Sequence, residues 1–289
     1  MQFKEEPVIF VASVTKRIFV TKKIYLDLLK ISRAKREGDI NNMIPKIIHY
    51  CWFGRGKMPD LALKCIESWK KFLPEYELRL WNEDTFDINS VPYVKEAYEA
   101  RKFAFVTDYV RLWSLEREGG VYMDTDVEIL RPLDDLMHLP AFTGYEASMS
   151  NAPVTGLMAS SPHGIWVTEQ LAYYDENRHF RLEDGTLDMT PNTVTIADIM
   201  VKGGFVINGE YGVYKDDLHV FPVDYFCPLT STRVLKLTKN TYCIHHFAGS
   251  WVERTKWQKA KQFVLHNVLG TNLTDKLVQI KRKLRTSRL

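Results

Sequence analysis

Between Gly119 and Leu130 an apolar strand runs straight into a pair of carboxylates. The stretch reads Gly119-Gly120-Val121-Tyr122-Met123-Asp124-Thr125-Asp126-Val127-Glu128. A strand puts alternate residues on one side, so Asp124 and Asp126 converge if the turn between them is tight. Two carboxylates held close repel one another unless a cation sits between them. Oxygen ligands of this kind suit Mg2+ or Mn2+, which keeps waters and also takes substrate phosphates. The spacing alone also fits a turn closed by Asx caps. A strand-to-carboxylate junction at the C-terminal edge of an α/β sheet favours the ligand reading, because ligands bind at that edge.

The flanking sequence supplies such a sheet. MIPKIIHYCWFG (43–54) reads as a buried strand that stops at Gly54. Pro59-Asp60 opens a helix whose apolar residues, Leu61, Cys65, Ile66, Trp69 and Phe72, follow helical spacing. ELRLW (77–81) alternates like a strand, and 92–118 is helical in two pieces, the second stopped by Gly119-Gly120. Strand-like runs recur at 140–146, 152–159 and 241–248, with helices near 162–176 and 191–202. Strands alternating with helices predict an α/β fold with a mainly parallel sheet. Residues 1–42 read as an N-terminal helical extension, and 256–289 as basic amphipathic C-terminal helices.

Upstream of the acidic turn, Ala104-Phe105-Val106-Thr107-Asp108-Tyr109-Val110-Arg111-Leu112-Trp113 puts Asp108 and Arg111 on one helical face. Val106, Val110 and Trp113 take the core side. Asp108 and Arg111 pointing into a cleft could bind sugar hydroxyls and a phosphate oxygen. On the surface they would be an ordinary ion pair worth well under ~1 kcal/mol.

Charge narrows the partners. The 289-residue chain carries a net charge of only +3, which does not suggest nucleic acid. The excess is local: ten Lys and Arg but only two acids fall between Trp251 and Leu289. Leu273, Leu277, Ile280 and Leu284 recur there at helical spacing, a pattern that can lie on an anionic membrane surface or pack as a solvated helix. The short apolar stretch after Glu5 and Glu6 makes a poor signal peptide, and no run reaches the ~18 apolar residues of a membrane span. Cys51, Cys65, Cys227 and Cys243 form no C-x-x-C pair and read as buried thiols of a reducing cytoplasm.

FVTDYVRLWSLEREGGVYMDTDVEILRPLD resembles the core of family 32 glycosyltransferases, whose sugar-binding region contains a DXD motif and whose bacterial members often build capsular polysaccharide. IPKIIHYCWFGRGKMPDLALKCIESWKKFLPEYELRLWNE resembles the family's first strand and helix, and IHHFAGSW (244–251) its C-terminal motif. The resemblance covers roughly 43–255. It implies a GT-A catalytic domain, a nucleotide-sugar donor, Mn2+ or Mg2+, and transfer with retention of configuration. By similarity to the large glucosylating toxins, Trp52 would stack on the donor's base, with Tyr109 also on the donor side. Asp108 and Arg111 would hold the donor sugar. Asp124 and Asp126 would bind ribose and metal-bridged diphosphate, and Ser250 and Trp251 would close over the diphosphate. His245 would be a metal or phosphate ligand, with His246 as the alternate; strand alternation points the two imidazoles to opposite sides.

The expected reaction moves a hexose, UDP-galactose or UDP-glucose being the donor, to a saccharide or lipid-linked oligosaccharide acceptor in surface polysaccharide synthesis. The basic tail would hold the enzyme at the inner face of the cytoplasmic membrane. Glu146, Asp188 and Asp198 are open as catalytic nucleophiles. Three alternatives stand beside this reading: a protein acceptor, a non-catalytic carbohydrate-binding protein on the same fold, and a metal-dependent phosphatase or nuclease recruiting Glu128 and both histidines.

Overall fold

Apolar β-branched residues in Ile47–Cys51 (β1) favour an extended, doubly covered strand. In a computed structural model, which describes residues 43–146, 152–154, 156–174, 178–230 and 234–249, this strand lies near one edge of a seven-stranded sheet. Glu77–Trp81 (β2) pairs parallel with β1 on the outside, and Gly120–Met123 (β3) pairs parallel on the inside. Leu157–Ser160 (β6) is antiparallel to both β3 and Ala141–Gly144 (β5). Leu218–Phe221 (β8) is parallel to β5, and Gly212–Tyr214 (β7) closes the far edge antiparallel. The strand order is β2-β1-β3-β6-β5-β8-β7. Val127–Ile129 (β4) and Cys243–His245 (β9) form a separate antiparallel pair.

The α/β class with a mixed, Rossmann-like sheet and flanking helices is therefore present. The parallel share is smaller than expected: three of the six ladders in the large sheet are antiparallel. Sequence patterning located β1 to β6 and β9. It missed β7 and β8, where Leu218–Phe221 is a four-residue strand with buried His219 in its middle. Such a short run carries too little periodicity to read.

Asp60–Phe72 (α1), Pro92–Glu99 (α2), Phe103–Glu118 (α3), Ile165–Ala172 (α4), Asn192–Lys202 (α5) and the single turn Val223–Phe226 (α6) complete the described elements. Pro59 and Val91 precede their helices in extended conformation, as a residue outside the first turn must. Helix α3 ends where Gly119 takes φ +64°, and a Cβ there would meet Pro162 at 2.6 Å. Only glycine tolerates both the left-handed turn and that contact. The chain can thus double back from α3 directly into β3.

The core lies between the sheet and α2, α3 and α4, with Trp166, Leu112 and Leu115 fully buried. On the opposite side α1 fixes the small β4–β9 pair. Trp69 donates its indole N–H to the Val127 carbonyl at 2.7 Å, and the Ile129 amide donates to Ser68 Oγ at 2.9 Å. All four cysteines are buried thiols. No helix among the described residues is long and apolar enough to cross a membrane. The expected extensions at 1–42 and 256–289 lie outside the described residues.

Candidate active site at the carboxyl edge of the sheet

Strands β1, β3, β5 and β8 all point the same way, because β6 is antiparallel to both β3 and β5. Their carboxyl ends therefore share one edge, the position at which α/β sheets bind ligands. Asp124 follows β3 there. The turn is tight: the Val127 amide donates to the Asp124 carbonyl at 2.9 Å, and the Asp124 amide to the Gly156 carbonyl at 2.8 Å. Val127 pairs with His245 across β4–β9, which brings the C-terminal motif beside the acidic turn. The His246 amide then donates to the Asp126 carbonyl at 2.9 Å.

Each aspartate is tethered by one oxygen and offers the other. Asp124 Oδ1 accepts the Tyr122 hydroxyl at 2.9 Å and lies 3.2 Å from the Arg111 guanidinium. Asp126 Oδ2 accepts the Ala248 amide at 2.7 Å. The remaining oxygens face one imidazole: His245 Nε2 lies 3.9 Å from Asp124 Oδ2 and 3.4 Å from Asp126 Oδ1. Ligand atoms of these three residues all lie within 4.8 Å of one another, close enough to hold one metal ion.

Gly156 keeps that space open. A Cβ at this position would come within 2.8 Å of Asp124 Oδ2 and 3.2 Å of His245 Cε1. The donor set, two carboxylates and an imidazole with room beside them, suits Mn2+ or Mg2+ that retains open positions for phosphate oxygens. Electrostatics agree. Burial alone would discharge both partners, yet the hydrogen bond and charge of His245 hold the Asp126 carboxyl below its ordinary value. Burial likewise opposes charge on His245, but Asp126 and Asp124 outweigh it and raise the imidazole well above its ordinary value.

Asp108 and Arg111 stand directly behind the turn. Both are buried, so the surface ion-pair reading is overturned. The guanidinium lies 3.2 Å from Asp108 Oδ1, 3.2 Å from Asp124 Oδ1 and 4.6 Å above the Tyr122 ring. It thus bridges helix α3 to the acidic turn. Burial pushes the Asp108 carboxyl up to about 7, with Arg111 opposing and Asp124 adding to the rise.

Two sequence candidates sit elsewhere. Tyr109 is packed into the aromatic core, edge-on to Phe86 at 6.2 Å and Tyr174 at 6.0 Å. One residue along a helix is a rotation of about 100°, so Tyr109 cannot share the face of Asp108. His246 turns away from the three-residue group and places Nε2 2.8 Å from Glu128 Oε2, where Lys64 also pairs. Strand alternation selects His245 and turns His246 aside, and Glu128 is occupied with it. Trp52 follows β1 on the same edge as Asp124, half-buried, with its indole N–H donated to the Gly56 carbonyl at 2.5 Å. Ser250 and Trp251 lie outside the described residues, immediately after Gly249. Gly156 was not legible beforehand, since a single glycine before a strand carries no chemical signal.

An Asp-x-Asp turn completed by a histidine, at the carboxyl edge of a mixed α/β sheet, defines a candidate metal-assisted binding site. Residues 59–143, which span α1 to β5, match the family model described as "Glycosyltransferase sugar-binding region containing DXD motif". The chain is similar to Inositol phosphoceramide mannosyltransferase 3 of Schizosaccharomyces pombe, with 30% identity over 163 residues, 53% of this chain and 45% of that protein. It is also 29% identical to Mannosyl phosphorylinositol ceramide synthase SUR1 of Saccharomyces cerevisiae over 161 residues, 50% of this chain and 41% of that one. The chain thus spans less than half the length of these curated relatives, which are fungal rather than bacterial capsular enzymes. Among solved structures, a glycosyltransferase involved in glycosylation of the major capsid of PBCV-1 aligns with a TM-score of 0.41 at 14% identity. That alignment covers 75% of this chain and 100% of that one.

Proposed function

We propose that the protein is a metal-dependent, retaining glycosyltransferase that moves a hexose from a nucleotide-sugar to a saccharide acceptor. The observation that carries this reading is the grouping of Asp124 Oδ2, Asp126 Oδ1 and His245 Nε2 at one sheet edge, with both aspartates inside the matched sugar-binding region. Asp124, Asp126 and His245 would hold Mn2+ or Mg2+. That ion would supply charge neutralisation for a departing diphosphate. Arg111 fixes Asp124 through Oδ1 and, with Asp108, would form the polar wall against which the donor sugar rests. Trp52 would stack on the base, a contact worth on the order of 1–3 kcal/mol. Ser250 and Trp251 would close over the diphosphate.

UDP-galactose or UDP-glucose is the donor we propose. The names of the fungal relatives add a mannose donor to the panel and a lipid-borne acceptor to the choices. A lipid-linked acceptor in surface polysaccharide synthesis agrees with the basic tail, which would place the enzyme at the inner face of the cytoplasmic membrane. Removing residues 270–289 should then release the protein from anionic vesicles. The phosphatase reading is weakened because Glu128 and His246 satisfy one another instead of joining the acidic turn. The deciding experiment is a panel of UDP- and GDP-hexoses assayed for Mn2+-dependent release of nucleoside diphosphate, with water as the default acceptor. Release from one sugar nucleotide and none with EDTA supports the reading. Release of inorganic phosphate from simple esters and none from sugar nucleotides would replace it.

A further inference from the structure

Three carboxylates were open as the group that acts on the sugar, and their surroundings separate them. Asp188 is held in an ion pair with Arg178. Asp198 sits exposed on α5. Glu146 follows β5 on the same sheet edge as Asp124 and is half-buried. Its amide donates to the Ala152 carbonyl at 2.9 Å, while the Asp124 amide donates to the Gly156 carbonyl at 2.8 Å. The two acids therefore flank the same short segment leading into β6. Burial raises the Glu146 carboxyl above its ordinary value, and the charges that reach it are those of His245 and Arg111, which oppose the rise, and Asp124, which adds to it, all of them site residues. Among the described residues this carboxylate has neither a hydrogen-bond nor an ion-pair partner.

A half-buried carboxylate with no partner among the described residues costs stability and persists where a ligand uses it. We propose that Glu146 is a catalytic residue that faces the transferred sugar and stabilises the positive charge developing at its anomeric carbon. This rests on the glycosyl-transfer reading above. In the step, the bond from the anomeric carbon to the diphosphate oxygen breaks and its electron pair leaves with the diphosphate. The acceptor hydroxyl forms the new carbon–oxygen bond and passes its proton to the departing diphosphate oxygen. In its ionised form Glu146 contributes a negative charge next to the ring, an interaction that strengthens as the transition state forms.

The test compares wild type, Glu146→Gln and Glu146→Asp on the best sugar nucleotide from the panel, with UDP or GDP plus Mn2+ as the binding probe. Glu146→Gln should lower kcat on the order of 100-fold while KM and the Mn2+-dependent Kd for the nucleoside diphosphate change by less than about threefold. Its melting temperature should equal or exceed that of wild type, because the substitution removes an unpaired charge. Glu146→Asp should recover part of kcat. Turnover by Glu146→Gln within about threefold of wild type would overturn the proposal. So would a fall in kcat matched by an equal loss of Mn2+-dependent binding, which would make Glu146 a metal-holding residue. If Glu146→Gln fails to fold, Glu146→Asp decides: wild-type kcat there overturns the proposal, and a reduced kcat with intact binding supports it. Absence of sugar-nucleotide turnover in wild type is a separate result and sinks the underlying reading.

Discussion

His245 Nε2 lies 3.4 Å from Asp126 Oδ1, although Asp126 falls inside the matched region and His245 far beyond its end. The β4–β9 ladder makes the contact, with His245 opposite Val127. Neither residue is free to move alone: Asp126 is pinned by the Ala248 amide, and His245 lies against Phe247 with ring centroids 4.3 Å apart.

Replacing Asp126 by Asn keeps an oxygen for the Ala248 amide and removes the charge that faces His245. Mn2+-dependent binding of nucleoside diphosphate should weaken by at least ~100-fold, with turnover falling alongside. Circular dichroism should show the fold retained. Calorimetric titration of Mn2+ in the presence of UDP or GDP measures the loss.

The same pair sets the pH behaviour of the metal-free protein. His245 is raised on folding above its ordinary 6.5, so its contribution to stability is whole below that value and fades as pH rises through the folded pKa. Asp126 is lowered below its ordinary 3.8, so its contribution is present above that value and fades as pH falls through the folded pKa. In EDTA, His245→Gln should therefore cost most stability between these limits, and wild type and variant should converge at both extremes. Urea titrations from pH 3 to 9 would reveal the window.

Metal binding adds a second pH dependence. A metal must displace the proton from Nε2, so Mn2+ affinity should rise with pH by up to about tenfold per unit while His245 is protonated. Measuring Kd for Mn2+ between pH 5.5 and 8 checks this. A flat profile would mean that His245 does not contact the ion.

Gly156→Ala probes the space itself. The added methyl would come within 2.8 Å of Asp124 Oδ2, yet Gly156 has no positive φ to strain the backbone. Global stability should change little, while Mn2+ affinity should fall by about 10–100-fold. Denaturant melts and metal titrations on the same sample separate the two effects.

Arg111→Met should be the most destabilising change considered. It strips the cation from between two carboxylates and leaves Asp124 Oδ1 held by the Tyr122 hydroxyl alone. Removing one member of a buried pair costs about 3–5 kcal/mol. Asp108, already pushed up to about 7, should take up a proton and soften the loss at low pH. Urea denaturation at pH 6 and 8 would show the smaller deficit at pH 6.

Much of this was legible in the chain because local chemistry and local geometry coincide. Asp124 and Asp126 are neighbours in sequence, and one strand end suffices to bring them together. Asp108 and Arg111 share a helical face for the same reason, although only the packing of α3 shows that they are buried. The choice between His245 and His246 was reduced to one by strand alternation, but the β4–β9 register was needed to make it. Tyr109 was misplaced because motif membership says nothing about which side of a helix faces the core. Gly156 gives no signal of its own, and Glu146 stands level with Asp188 and Asp198 in the sequence; only the strands brought together by the fold set it apart.

The central claim is that Asp124, Asp126 and His245 grip a cation that in turn holds a diphosphate. It is tested most directly by the thermal shift produced by UDP and by GDP, each with Mn2+ and with EDTA. A rise in melting temperature that appears only when nucleoside diphosphate and Mn2+ are both present, and that disappears in Asp126→Asn, is the expected result. An equal shift in EDTA, or an undiminished one in Asp126→Asn, would contradict it.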